Sequence, residues 1–208
     1  MAKKTVQKMD FSTEDKIKNA ARTVFQRKGY AATRTRDIAD EAGINLALLN
    51  YYFRSKEKLF EIVMFETLAS YMSGILVLFN DEKSSLEEKL ERLVAEYINF
   101  LIKEPEVPIF IMSEFQHNSV DILNKLPVKQ LLNNSVFIRQ YQKAVADGLI
   151  SEPNHIHFLM NMLGMVVFPF VGKTWLKEVF GVDNEQFNLL MNERKQKLPI
   201  WIKAMMEA

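Results

Sequence analysis

The chain has 208 residues, 48% apolar and 11% aromatic, with 27 Lys and Arg against 26 Asp and Glu, a balance of one or two globular domains rather than of disorder. It contains no cysteine, which excludes a disulfide framework, thiolate metal sites and a cysteine nucleophile, and fits a reducing compartment. The net charge of +1 hides an asymmetry: residues 1–60 carry 13 basic and 7 acidic side chains and the remainder 14 and 19, so the basic first part has the footprint of a polyanion-binding segment.

Glycine (7) and proline (6) are scarce, and apolar residues recur at helical spacing almost throughout, which predicts an all-α fold. Ser12 or Thr13 caps the first predicted helix, where Ile17, Ala20, Ala21, Val24 and Phe25 make one stripe before Lys28-Gly29 stops it. A second short helix starts after Thr33, carries Ile38, Ala39 and Ala42, and ends at Gly43, which suits a tight turn. Asn45 caps a third, in which Leu49 and Phe53 pack inward with Ile44 while Ala47, Asn50 and Tyr51 point outward. Longer helices follow over about 56–79, 84–104, 107–116, 127–147, 154–180 and 184–206, with Pro169 and Pro199 expected to kink or break the last two. The longest apolar run, residues 158–172, falls short of the roughly 20 residues of a spanning helix. Lys3, Lys4 and Lys8 are not followed by the apolar stretch of a secretion signal, so no membrane segment and a cytoplasmic location are expected.

Three short helices, the second and third joined by a turn holding Gly43, match a helix-turn-helix. The stretch Gly29-Tyr30-x-x-Thr33-x-Thr35-Arg36-Asp37-Ile38-Ala39-x-x-Ala42-Gly43-Ile44-Asn45, followed by Leu49-Asn50-Tyr51-Tyr52-Phe53-Arg54-Ser55-Lys56-Glu57-x-Leu59, resembles the DNA-binding domain of the TetR (tetracycline-repressor-like) family. The resemblance spans about residues 12–60 and implies a DNA-binding domain over 1–55 and a helical ligand-binding and dimerisation domain over 56–208.

It also implies that Asn45, Leu46, Ala47, Leu48, Asn50, Tyr51 and Tyr52 face double-stranded DNA, with the third helix in the major groove. Tyr51 and Tyr52 are expected to hold phosphates, and Thr33 and Lys56 to position the backbone. Base reading falls to the Asn50 amide, which pairs bidentately with adenine, and to Leu46, Ala47 or Leu48 against thymine methyls. Many relatives carry glycine where this chain has Ala47, a small hydroxyl residue at Leu48 and a third tyrosine at Asn50, so their site preference does not transfer.

A single helix-turn-helix reads few base pairs, so a homodimer is expected. The resemblance places its interface on the last two long helices, with Phe158, Met162, Met165, Phe187, Leu190, Met191 and Trp201 as candidates. It also implies a pocket for an unknown hydrophobic or amphipathic inducer. Eleven of the 15 Phe and nine of the 11 Met follow residue 60, and Met gives an adaptable wall. The candidates are Phe65, Tyr97, Phe100, Met112, Phe115, Phe137, Tyr141 and Phe168. Gly172-Lys173-Thr174 imitates the end of a phosphate-binding loop, but Val167 stands where the first glycine is required. No cofactor, metal or catalytic motif is expected. The expected function is a homodimeric, ligand-responsive transcriptional regulator, a repressor in most of the family, reading a palindrome. A helical module controlled by a protein partner, or an all-α enzyme without a known motif, are the alternatives.

Overall fold

The computed structural model describes residues 2–113, 126 and 135–207, with side chains from residue 13. All regular structure among the described residues is helical: α1 (Ala2–Ala32), α2 (Thr35–Ala42), α3 (Leu46–Tyr52), α4 (Lys56–Phe79), α5 (Leu86–Lys103), α6 (Val136–Ala146), α7 (His155–Val171), α8 (Lys173–Phe180) and α9 (Asn184–Glu207), with residues 107–113 also helical. The chain forms two compact units, 1–68 and 69–208. The division falls inside α4 rather than at residue 55, because Leu59, Val63, Met64 and Leu68 are buried and Glu66 and Thr67 bond to Lys18 and Arg22 of α1.

In the N-terminal unit, helical backbone extends back to Ala2, so Ser12 and Thr13 lie within α1 and do not cap it; no glycine or proline interrupts residues 2–12. Gly29 does interrupt α1, at φ 74° and ψ 164°, where a side chain would be strained. Around that bend Phe25 meets Phe60 edge-to-face at 5.0 Å and Tyr30 packs on Phe60 at 4.6 Å. The buried stripe of α1 is the one the sequence predicts, Ile17, Ala20, Ala21, Val24 and Phe25. Gly43 closes α2 at φ 67°, with its N–H donating to Ala39 and Asp40 carbonyls. A Cβ there meets no atom within 4 Å, so Gly43→Ala carries backbone strain without a clash. A loss of about 1–2 kcal/mol is expected, read as a lower midpoint in urea denaturation.

In the C-terminal unit, Ser85 and Glu88 form a capping box at the start of α5, and Val94, Ile98, Leu101, Phe137, Phe158, Leu198 and Ile202 share one core. Phe79 stacks on Phe137 at 4.3 Å. Lys89 is buried within this unit, its ammonium donating to the Asp81 and Ser84 carbonyls at 2.5 and 2.7 Å and so pinning the α4–α5 loop; burial lowers its pKa. Helix α6 begins at Val136 behind a Ser135 cap; the expected start near Pro127 lies outside the described residues.

The expected helix over 154–180 is two, α7 and α8, bent by 68° at Gly172. Pro169 has no N–H to give the carbonyl of Met165 one turn back, and the Arg194 guanidinium of α9 donates to that carbonyl instead, at 2.7 Å. Arg194→Met therefore strands a carbonyl, and a cost of about 1–3 kcal/mol in chemical denaturation is expected. Pro199 does not break α9, whose flanking Leu198 and Ile202 are both buried. By length and composition α4 is apolar enough to cross a bilayer, a possibility the sequence reading did not single out, yet its first half is built into the N-terminal core.

Candidate nucleic-acid interface

Helix α3 is seven residues long and has two distinct faces. Leu49 is fully buried and Phe53, its C-cap, nearly so, while Ile44 is half-buried; these hold the helix against the head. Opposite them Ala47, Asn50 and Tyr51 are exposed, Tyr51 by 77%, with its ring edge-on to Tyr52 at 5.3 Å. Leu46, Leu48 and Tyr52 are half-buried along the border. The outward row is the one read from helical spacing: a small side chain, an amide and a phenol on one short rod that a major groove accommodates.

Three of the expected contact residues also do structural work. Asn45 Oδ1 accepts from the Leu48 N–H at 2.8 Å, so that oxygen caps α3. Thr33 departs from expectation: it is 2% exposed, and its hydroxyl donates to the Gly29 carbonyl at 2.7 Å. The side chain closes the bend after α1 and offers a phosphate nothing in this conformation. The Lys56 ammonium donates to the carbonyls of Tyr30 and Thr33 at 2.9 and 3.0 Å and lies 4.1 Å from the Tyr30 ring centroid. Two of its three N–H donors hold the loop between α1 and α2, which leaves one.

The head's acidic residues neutralise many of its basic ones. Lys18 meets Glu66 at 2.8 Å and Asp15 at 3.2 Å, and those carboxylates raise its pKa against the opposing effect of burial. Asp37 accepts from the Arg34 backbone N–H at 2.9 Å and pairs with Lys28 at 3.0 Å; the first contact, then the second, lowers its carboxyl pKa. The basic surplus visible in the sequence does not separate paired from unpaired cations, because pairing depends on tertiary neighbours.

The candidate ligand residues do not gather. Phe65 belongs to the N-terminal unit, and Phe115 lies outside the described residues. Phe137 and Tyr141 are fully buried, the Tyr141 hydroxyl donating to the Glu152 carbonyl at 2.6 Å, so both are packed core. Met112 and Phe168 are exposed. Tyr97 and Phe100 both stack on Tyr71, at 5.2 and 4.1 Å, and desolvation pushes the Tyr97 phenol up to about 12. The Tyr71 hydroxyl is buried without a hydrogen-bond partner.

A cavity of about 900 Å³ lies elsewhere, between α5, the end of α6 and the C-terminal half of α9, walled by Leu86, Leu90, Ile150, Pro199, Ile202 and Met206 among others. A second groove of about 470 Å³ runs between α7, α8 and α9 and is lined by Met165, Phe168, Phe187, Leu190, Met191 and Trp201 among others. Five of the seven candidate dimer residues therefore share one groove. Phe158, Met162, Phe187 and Met191, however, are buried within the chain, because the core-facing stripes of α7 and α9 consume them. Leu190 and Trp201 stay exposed, at 44% and 46%. Met160, Leu163, Trp175 and Phe180 are exposed as well and are not among the residues expected from the sequence, since exposure of a single apolar residue leaves no mark on periodicity.

The arrangement defines a helix-turn-helix DNA-binding protein. Residues 17–63 match the family model described as bacterial regulatory proteins, tetR family. The chain is 24% identical over 203 residues to the probable HTH-type transcriptional regulator YttP of Bacillus subtilis, covering 94% of this chain and 95% of that one. It is 30% identical to the HTH-type transcriptional repressor NicS of Pseudomonas putida over 60% of this chain and 58% of NicS. The solved structure of FadR from Bacillus subtilis in complex with stearoyl-CoA has the same fold, with a TM-score of 0.56 and 19% identity over 87% of this chain and 95% of that one. The chain is a DNA-binding transcriptional regulator whose residues 17–63 form a DNA-binding domain of the tetR family.

Proposed function

We propose that the protein is a homodimeric repressor that reads a palindromic operator with α3 and releases it when a small apolar or amphipathic molecule binds the C-terminal unit. The outward row Ala47, Asn50 and Tyr51 on a buried Leu49–Phe53 base carries the DNA reading. The roughly 900 Å³ cavity supports the ligand reading, being of the size that small-molecule sites occupy, about 300–1,000 Å³. A FadR bound to stearoyl-CoA makes a long acyl chain one chemistry worth screening there. Dimerisation is assigned to the groove between α7, α8 and α9, with Leu190 and Trp201 as its exposed apolar residues. The ligand acts by population shift: whatever excess affinity it has for the conformation unable to hold both half-sites is subtracted from operator binding. A regulator of this kind works in the cytoplasm, where the DNA is.

The test is selection of DNA from a random-sequence pool by purified protein at fixed, near-physiological salt, because salt sets how much affinity is mere phosphate attraction. An enriched palindrome is the expected result, and the selected site then serves to screen ligands for release. A folded dimer that enriches nothing overturns the operator reading. A protein partner in place of a small ligand would show as release by a protein and by no small molecule.

A further inference from the structure

The cations of the head divide into those already paired and those left free. Lys18 and Arg22 both reach Glu66, Arg27 meets Glu41 at 3.1 Å, Lys28 meets Asp37, and Lys58 meets Glu61 at 2.9 Å. Lys56 is committed to two carbonyls. A paired cation is a poor phosphate ligand, since its carboxylate must be displaced and then repels the polyanion nearby. Among the described residues of this unit, the exposed cations that form no ion pair are Lys16, Arg34, Arg36 and Arg54. Lys16 stands on α1, outside the helix-turn-helix that α2 and α3 form, and Arg34 precedes α2 as its N-cap. Arg36 and Arg54 lie within that motif and directly after it.

Their places in the fold suit the task. Arg36 is the second residue of α2, about 200° around the helix from the buried Ile38, so it faces away from the head's core at the end where backbone N–H groups favour anions. Arg54 follows Phe53, the C-cap of α3, and stands just past the tyrosine pair. The two guanidiniums thus bracket the recognition segment in sequence, and their planar forks fit phosphate oxygens. We propose that Arg36 and Arg54 are the phosphate clamps of this head, and that Thr33, whose hydroxyl proton is occupied inside it, serves the fold.

The inference rests on the DNA-binding reading, and salt-dependent binding separates the failure of one from the failure of the other. Fluorescence anisotropy is measured on a random-sequence duplex and on the selected site across a range of KCl concentrations. Arg36→Gln and Arg54→Gln are each expected to make the plot of log affinity against log salt shallower by about 0.9 for each head bound, and to weaken both duplexes by the same factor. Arg27→Gln, which removes a paired cation, is expected to keep the slope; Thr33→Val is expected to keep the slope while melting earlier. A folded Arg36→Gln/Arg54→Gln double variant with the parental slope overturns the proposal, as does a loss confined to one sequence, which is the mark of base reading. No salt-dependent binding by the parent protein sinks the DNA-binding reading itself.

Discussion

A glutamate at Phe158 is expected to unfold the C-terminal unit, whereas a glutamate at Leu190 is expected to leave it folded and to yield monomers if the proposed dimer uses this groove. Phe158 is 2% exposed, with its ring on Tyr141 at 5.2 Å in the shared core. Removing such a ring costs about 3–5 kcal/mol by itself, and burying an unpaired carboxylate costs further, against a typical total stability of about 5–15 kcal/mol. Leu190 stands on the rim of the groove between α7, α8 and α9, where a carboxylate remains in water in the monomer and is desolvated only when a second copy covers it. Circular dichroism separates the folded from the unfolded variant, and sedimentation gives the oligomeric state. A Leu190→Glu protein that remains dimeric moves the interface off this groove.

The second large effect separates two neighbours on α3. Leu49→Ala is expected to cost about 2–5 kcal/mol of stability in the N-terminal unit, because Leu49 is fully buried and ties the recognition helix to the head. Asn50→Ala, one residue on and exposed, is expected to leave the melting temperature unchanged and to relax base preference at one operator position by roughly 1–3 kcal/mol. Tyr51→Phe removes only a hydroxyl and is expected to weaken all sequences alike. Repeating the DNA selection with each variant checks this: an Asn50→Ala protein with the parental preference at every position assigns base reading to another residue.

The head was legible because its signals are local. A glycine that must adopt positive φ at position 43, an asparagine that caps at position 45 and a four-residue spacing from Leu49 to Phe53 each act within one or two turns of chain, and each is found as read. Thr33 and Lys56 have partners inside the head that the sequence does not reveal. A hydroxyl and an ammonium near helix starts look available in sequence, but the Thr33 hydroxyl turns back to the Gly29 carbonyl, and the return of α4 brings the Lys56 ammonium onto the carbonyls of Tyr30 and Thr33. The pocket candidates suffered likewise: Phe137 and Tyr141 are aromatic in the same way as a cavity wall, but packing seals both.

From the sequence by itself follow the all-α class, the helix-turn-helix and its outward row, since periodicity and capping are properties of neighbours along one helix. Tertiary structure decided the rest. It divided the chain within α4, assigned four of seven supposed interface residues to the core, opened a cavity of about 900 Å³ between α5, α6 and α9, and left Arg36 and Arg54 among the unpaired cations of the head's described residues. Burial and ion pairing depend on which helices meet, and an amphipathic stripe records only that a helix has a partner, not which partner it has.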